Sequence, residues 1–252
     1  MTEKDSKETR SFVDPMTPRL EAAKRRREAK EAEYPQAASA YDGFYIRLSE
    51  LTTEGTRFIL GAEGAIGSRL QYESATGFLL ANDGRQLAQL PGKTAERLAK
   101  YSSANWCITP LVSTTYFKAQ DKSAAVDIAF ICWAPLDAPF DSITASAYDE
   151  ALAIFSHNIA GRLASGDRAG LALTQDEFVS VLRSSGAWYL TKTTKRDPLD
   201  KGTIVYKARR SGIERISAYA VNHRVGCNIL ASVFWVLLLG GIGALLWFLF
   251  FS

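Results

Sequence analysis

The apolar positions of the chain change their period several times, and each change marks an expected element. Phe44, Ile46 and Leu48 alternate with Tyr45, Arg47 and Ser49, the period of a half-buried strand. Phe58-Ile59-Leu60 is a second short apolar run, read as a short strand before Gly61. Phe78-Leu79-Leu80 and Arg85 to Leu90 flank Asn82-Asp83-Gly84. Asp-Gly tolerates the positive φ of a tight turn, so a hairpin is expected there. Lys93 to Ser103 reads as a short helix. Trp106 to Lys118 and Ala125 to Trp133 read as two strands joined by a polar loop. The second carries Val126, Ile128, Phe130 and Cys132 on one face and Ala129, Ile131 and Trp133 on the other, apolar enough for a central strand.

The period then lengthens. Tyr148, Leu152, Phe155, Ile159 and Leu163 form an apolar stripe at helical spacing, with Ser146 and Asp149 as a cap and Ser165-Gly166 as a stop. Thr174-x-x-Glu177 is a capping box opening another helix, with Phe178, Val181 and Leu182 on one face and Gly186 at its end. Trp188 to Thr193 and Thr203 to Lys207 suggest a hairpin around Lys195-Arg196-Asp197-Pro198. These elements predict an α+β fold over residues 39–210. It is a single cytoplasmic domain of mixed or antiparallel sheet with packed helices, and about 150 residues suffice for one core.

Beyond the domain, periodicity gives way to continuous hydrophobicity. Ile229 to Phe251 is a run of 23 residues whose only polar member is Ser232. At about 1.5 Å of rise per residue such a helix reaches roughly 35 Å, enough to cross about 30 Å of hydrocarbon. Residues 227–252 are therefore expected to be one C-terminal transmembrane helix, a tail anchor. The N-terminal MTEKDSKETR has no apolar core, so no signal peptide is expected. Arg209, Arg210, Arg215 and Arg224 precede the span and no Lys or Arg follows it. The positive-inside rule then leaves the domain and N-terminus in the cytoplasm and the C-terminus at the opposite face of the membrane. Gly240 and Ala244 lie four apart and share a face on which a second helix can approach, a route to a homodimer through the span. Cys227, at the start of the span, is a candidate for S-palmitoylation.

Charge changes the picture at both ends. The 252 residues hold 30 Lys+Arg and 27 Asp+Glu, a net +3. Residues 1–34 hold nine basic and eight acidic side chains, and residues 1–38 are expected to be a charged, partly helical or disordered arm. Residues 35–186 carry a net −4, and residues 187–224 a net +6. Ser211-x-x-Glu214 is a second capping box, opening a basic juxtamembrane helix over 211–226. Lys192, Lys195, Arg196, Lys201, Arg209, Arg210, Arg215 and Arg224 thus fall within 33 residues beside the membrane. Anionic headgroups attract such residues by about 1 kcal/mol each near the surface, so these eight are expected to contact anionic lipid.

The remaining motifs point away from bound cofactors. Gly92-Lys93-Thr94 ends like a phosphate-binding loop, but Leu87 stands where its first glycine is needed. Gly61 to Gly67 has the spacing G-x-x-G-x-x-G rather than that of a dinucleotide loop. His157 is expected to face away from the apolar stripe of its helix, and Cys107 and Cys132 to pack as core thiols. No catalytic residue, cofactor or metal is expected from these residues. The sequence is read as a membrane-bound binding, scaffold or regulatory module with lipid bilayer and a protein as partners. A membrane-tethered enzyme is the alternative. A second alternative takes Thr174 to Ser185 as the recognition helix and Lys192 to Lys201 as the wing of a winged-helix nucleic-acid binder, against which Asp176 and Glu177 stand.

Overall fold

The computed structural model describes Glu21, Lys24, Arg25 and residues 34–136 and 143–212. The expected transmembrane span, most of the expected juxtamembrane helix, Arg215, Arg224, Cys227, Gly240 and Ala244 lie outside these residues. Among the described residues no helix is long and apolar enough to cross a membrane. In chain order the elements are α1 (Ala37–Ala40), β1 (Tyr41–Leu48), α2 (Thr53–Leu60), β2 (Gln71–Glu73), β3 (Phe78–Leu80), β4 (Gln86–Gln89) and α3 (Gly92–Ser103). They continue with β5 (Cys107–Lys118), β6 (Ser123–Trp133), α4 (Ala145–Ser165), α5 (Gln175–Arg183) and β7 (Thr203–Lys207).

The fold is α+β. Its main sheet has the order β1-β6-β5-β7, with every neighbouring pair antiparallel. A smaller antiparallel sheet runs β2-β3-β4. The strand expected to be central is central: β6 lies between β1 and β5, and residues Val126 to Trp133 are all buried. Alternation gives it two faces. Phe130 stacks on Phe44 at 5.1 Å, and the Arg97 guanidinium of α3 lies 4.0 Å over the Phe44 ring, so α3 covers that face. Across the sheet Tyr41 meets Phe155 of α4 and Phe178 of α5, and Trp133 donates from Nε1 to Asp149 of α4 at 3.2 Å. Helices therefore bury both faces of the sheet.

Local signals explain the helix limits. Thr144, not Ser146 as expected, caps α4, its hydroxyl oxygen accepting the Ala147 N–H, and Gly166 ends it in the left-handed conformation at φ 95°. Tyr148, Leu152, Phe155, Ile159 and Leu163 are all buried, as their spacing predicts. The Thr174/Glu177 capping box opens α5, and Phe178, Val179, Val181 and Leu182 are buried. Gly84 turns the β3–β4 hairpin at φ 86°.

Two of the expected elements change. Phe58-Ile59-Leu60 closes helix α2, not a strand: Thr52 caps it by accepting the Gly55 N–H at 2.8 Å, and Phe58 and Ile59 fill the core. The hairpin of Trp188 to Thr193 with Thr203 to Lys207 does not form. β7 pairs instead with β5, which offers an open edge lined by Thr115 to Lys118. Residues 192–194 pair with 168–170, through Thr194 N–H to Arg168 O at 2.9 Å and Gly170 N–H to Lys192 O at 2.8 Å. The two strands of the supposed wing are therefore not neighbours. Within the expected arm, residues 34–37 are tied to α5: Gln175 accepts from the Ala37 N–H at 2.6 Å and donates to Pro35 O at 2.9 Å.

Candidate membrane-facing surface

The basic segment is built on a buried charge. Asp127 is the one charged residue of β6, and its side chain is 1% exposed. An unpaired carboxylate there would be expensive, and three donors converge on it. Arg47 Nε, from the neighbouring strand, donates to Oδ1 at 2.9 Å, and Tyr116 Oη of β5 donates to Oδ2 at 2.5 Å. Arg168 Nη1, from the loop after α4, also donates to Oδ2. The β5 bulge between Val112 and Thr114 shifts the register by one residue and carries the strand past Asp127 with Tyr116 on the same face.

Both arginines also hold the outer loop. Arg47 extends beyond Asp127 to donate from Nη1 to Pro198 O at 3.0 Å and from Nη2 to Asp197 O at 3.3 Å. Its guanidinium lies 4.6 Å over the Tyr116 ring. Arg168 lies 4.1 Å over the Tyr45 ring, and its backbone carbonyl accepts Thr194 N–H. One buried carboxylate thus fixes the chain at 192–194 and again at 197–198. The hydrogen bond to Asp127 raises the Arg47 guanidinium above its ordinary pKa. Burial, followed by the bond to Asp127, raises the Tyr116 phenol. Both keep their protons through the physiological range.

What this scaffold presents is exposed throughout. Residues 191–200 all face solvent. Lys195 and Arg196 project from this stretch, Lys201 is exposed just after it, and Arg209 is exposed beyond β7. Lys192 bonds Glu177 at 2.8 Å and so is partly neutralised. Arg210 is half-buried, its backbone N–H on Ala164 O at 2.9 Å. Six of the eight residues expected at the lipid surface are thus brought into one segment around β7, and Arg215 and Arg224 lie outside the described residues.

Apolar side chains stand among these charges. Among the described residues the large apolar side chains that are exposed are Ile154, Tyr189, Leu199, Ile204, Val205 and Tyr206, and all but Ile154 fall between 189 and 206. β7 is an edge strand, yet it is poorly suited to adding a further strand. A register shift opposite Thr115 and Tyr116 leaves Tyr206 as an extra residue, and Lys201, Lys207 and Arg209 flank it. Bulges and edge lysines are how sheets resist edge pairing.

Other candidates behave more quietly. His157 is exposed on α4. Cys132 is buried as expected, where desolvation raises its thiol pKa, whereas Cys107, also expected in the core, is exposed at the start of β5. Among the described residues no group of His, Cys, Asp and Glu side chains is placed to hold a metal ion. Sequence reasoning missed Asp127, Arg47, Tyr116 and Arg168. The one available signal was a lone acid inside an otherwise uncharged, apolar strand.

The chain matches no protein-family model, no curated protein and no solved structure.

Proposed function

We propose that this protein is a tail-anchored, single-pass membrane protein whose α+β domain is a binding or scaffold module lying against the cytoplasmic leaflet. The observation that carries this reading is the coincidence of two surface properties in one segment. Five exposed large apolar side chains, Tyr189, Leu199, Ile204, Val205 and Tyr206, are interleaved with exposed Lys195, Arg196 and Lys201. Water alone gives no reason to gather both kinds in one place. A bilayer interface does, because tyrosine and aliphatic groups enter the headgroup layer while lysine and arginine meet its phosphates.

In this proposal residues 227–252 span the membrane, with Gly240 and Ala244 on a face for a second helix and Cys227 at the acylation position. Residues 211–226 connect the span to the domain, with Arg215 and Arg224 at the headgroups. Asp127 serves the surface at one remove, by fixing the loop that carries Lys195 and Arg196.

The test is hydrogen–deuterium exchange on the full chain in nanodiscs of phosphatidylcholine alone and with added phosphatidylserine. Residues 187–212 are expected to exchange more slowly with phosphatidylserine present. Salt should reverse this, since the Debye length shrinks from about 10 Å at 0.1 M to about 3 Å at 1 M. Equal exchange in both lipid compositions would refute the membrane-facing assignment. Release of the chain by alkaline carbonate would refute the anchor.

A further inference from the structure

A groove of about 370 Å³ lies between the C-terminal half of α4 and the segment after α5, bounded by Asn158, Arg162, Ser165, Asp167 and Tyr189. That volume is at the lower end of the roughly 300–1,000 Å³ occupied by small ligands. The groove carries both signs of charge. Arg162, only 8% exposed, donates from Nε to Asp167 Oδ2 at 2.9 Å and again from Nη2 to the same oxygen. Its third nitrogen, Nη1, is buried without a hydrogen-bond partner. A buried donor left this way costs about 1–3 kcal/mol, so an acceptor there is favoured.

Asp167 complements it. Both bonds from Arg162 end on Oδ2, and the carboxylate is one-third exposed. Tyr189, 64% exposed, lays its ring 4.7 Å from the Arg162 guanidinium carbon and forms one wall. Arg210, whose backbone N–H bonds Ala164 O at the end of α4, has a second buried guanidinium nitrogen, Nε, with no hydrogen-bond partner.

We infer that this groove binds a short zwitterion carrying a phosphate and a primary ammonium, supplied by the phosphoethanolamine headgroup of a membrane lipid. On binding, Arg162 Nη1, which is covered in the free protein, is opened to a phosphate oxygen, Asp167 accepts from the ammonium, and Tyr189 covers the carbons between them. A bare phosphate meets the Asp167 carboxylate and a bare amine meets Arg162, so only a molecule with both groups satisfies the site. A trimethylammonium has no N–H to give Asp167, so choline esters are disfavoured. The choice of a lipid as the source rests on the membrane reading, because Tyr189 belongs to both the groove and the exposed strip.

The full chain in maltoside micelles, titrated calorimetrically with glycerophosphoethanolamine, tests the chemistry. Saturable binding is expected, weaker by about tenfold or more for glycerophosphocholine and for inorganic phosphate, the loss of one charged hydrogen bond. Tyr189→Ala, at an exposed position that the core does not need, should weaken it by a similar factor. Asp167→Asn should do the same, with folding checked by circular dichroism because Asp167 is the counter-charge of buried Arg162. The absence of saturable heat overturns the site. Equal binding of inorganic phosphate, unchanged by Asp167→Asn, overturns the zwitterion. For the source, the same titration is run in nanodiscs with and without phosphatidylethanolamine. Competition from the lipid should weaken the soluble ester, and undiminished binding overturns the lipid source. The micelle titration is independent of the exchange of residues 187–212, so failure of the groove and failure of the membrane reading are separate results.

Discussion

Replacing Asp127 with asparagine keeps the shape of the side chain and removes only its charge. In the native protein that carboxylate has three donors, Arg47 Nε, Tyr116 Oη and Arg168 Nη1. An asparagine has one oxygen to offer, and its NH2 group must face at least one of these donors with a donor of its own. Two guanidiniums then lose their shared counter-charge, with the Arg168 side chain 7% exposed and the Arg47 side chain 25% exposed. Removing one partner of a buried ion pair costs about 3–5 kcal/mol. At about 2–4 °C per kcal/mol for a domain of this size, Tm should fall by about 6–20 °C. Thermal unfolding followed by circular dichroism reads this directly. Exchange at 192–198 should also quicken, because Arg47 and Arg168 no longer hold those residues in place. A drop of less than about 3 °C would mean that the surroundings satisfy both arginines without Asp127, and the assignment of Asp127 as the anchor of the loop would be wrong.

Other perturbations reach different parts of the argument. Gly186→Ala should destabilise by at least about 2 kcal/mol in urea unfolding, since Gly186 has φ 82° and an added Cβ would lie 2.1 Å from the Ala151 carbonyl oxygen. Thr174→Ala removes the cap of α5 and should cost about 0.5–2 kcal/mol by the same measurement. Burial raises the pKa of Glu177, but hydrogen bonds from Lys192 and the Thr174 backbone outweigh it and leave the carboxyl below its ordinary value. The native carboxylate thus holds its charge to lower pH than the unfolded one. Its contribution is complete above the unfolded value and fades as pH falls through the lowered native one. Lys192→Met should make that acid limb shallower in a stability–pH profile. Lys195→Glu with Arg196→Glu should abolish the effect of phosphatidylserine on exchange at 187–212, at about 1 kcal/mol lost per neutralised cation before the added repulsion.

Much of this architecture is legible in local patterns because it is local. The five-residue stripe from Tyr148 to Leu163, the Thr174 cap and the Asp83-Gly84 turn each act within a few residues of themselves, and each is found where the spacing puts it. The β5–β6 pairing follows from two apolar runs separated by a short polar loop. What escapes sequence reading is set by distant partners. β7 has no strand signal stronger than that of Trp188 to Thr193, and only the open edge of β5 decides which of them joins the sheet. Phe58-Ile59-Leu60 has the apolar content of a strand, and the Thr52 cap six residues before Phe58 is what commits it to a helix. Asp127 reads as an exception to an apolar run. Arg47 and Arg168, 80 and 41 residues away in sequence, turn it into the centre of a network. The basic segment was visible from charge alone, whereas its exposed apolar residues were not, because composition does not say which side chains face out.

The sheet order also fixes a sequence of events during synthesis. β1, β5 and β6 are complete once Trp133 has been made, but β7 ends 74 residues later at Lys207. At about 5–20 residues per second the ribosome takes about 4–15 s to cover that interval. Throughout it the nascent sheet offers the unpaired backbone of Thr115 to Lys118 to any strand in reach, and the helices that cover its Asp127 face are still emerging. A chaperone that shields nascent edges has its window there, in the seconds before the last strand seals the sheet.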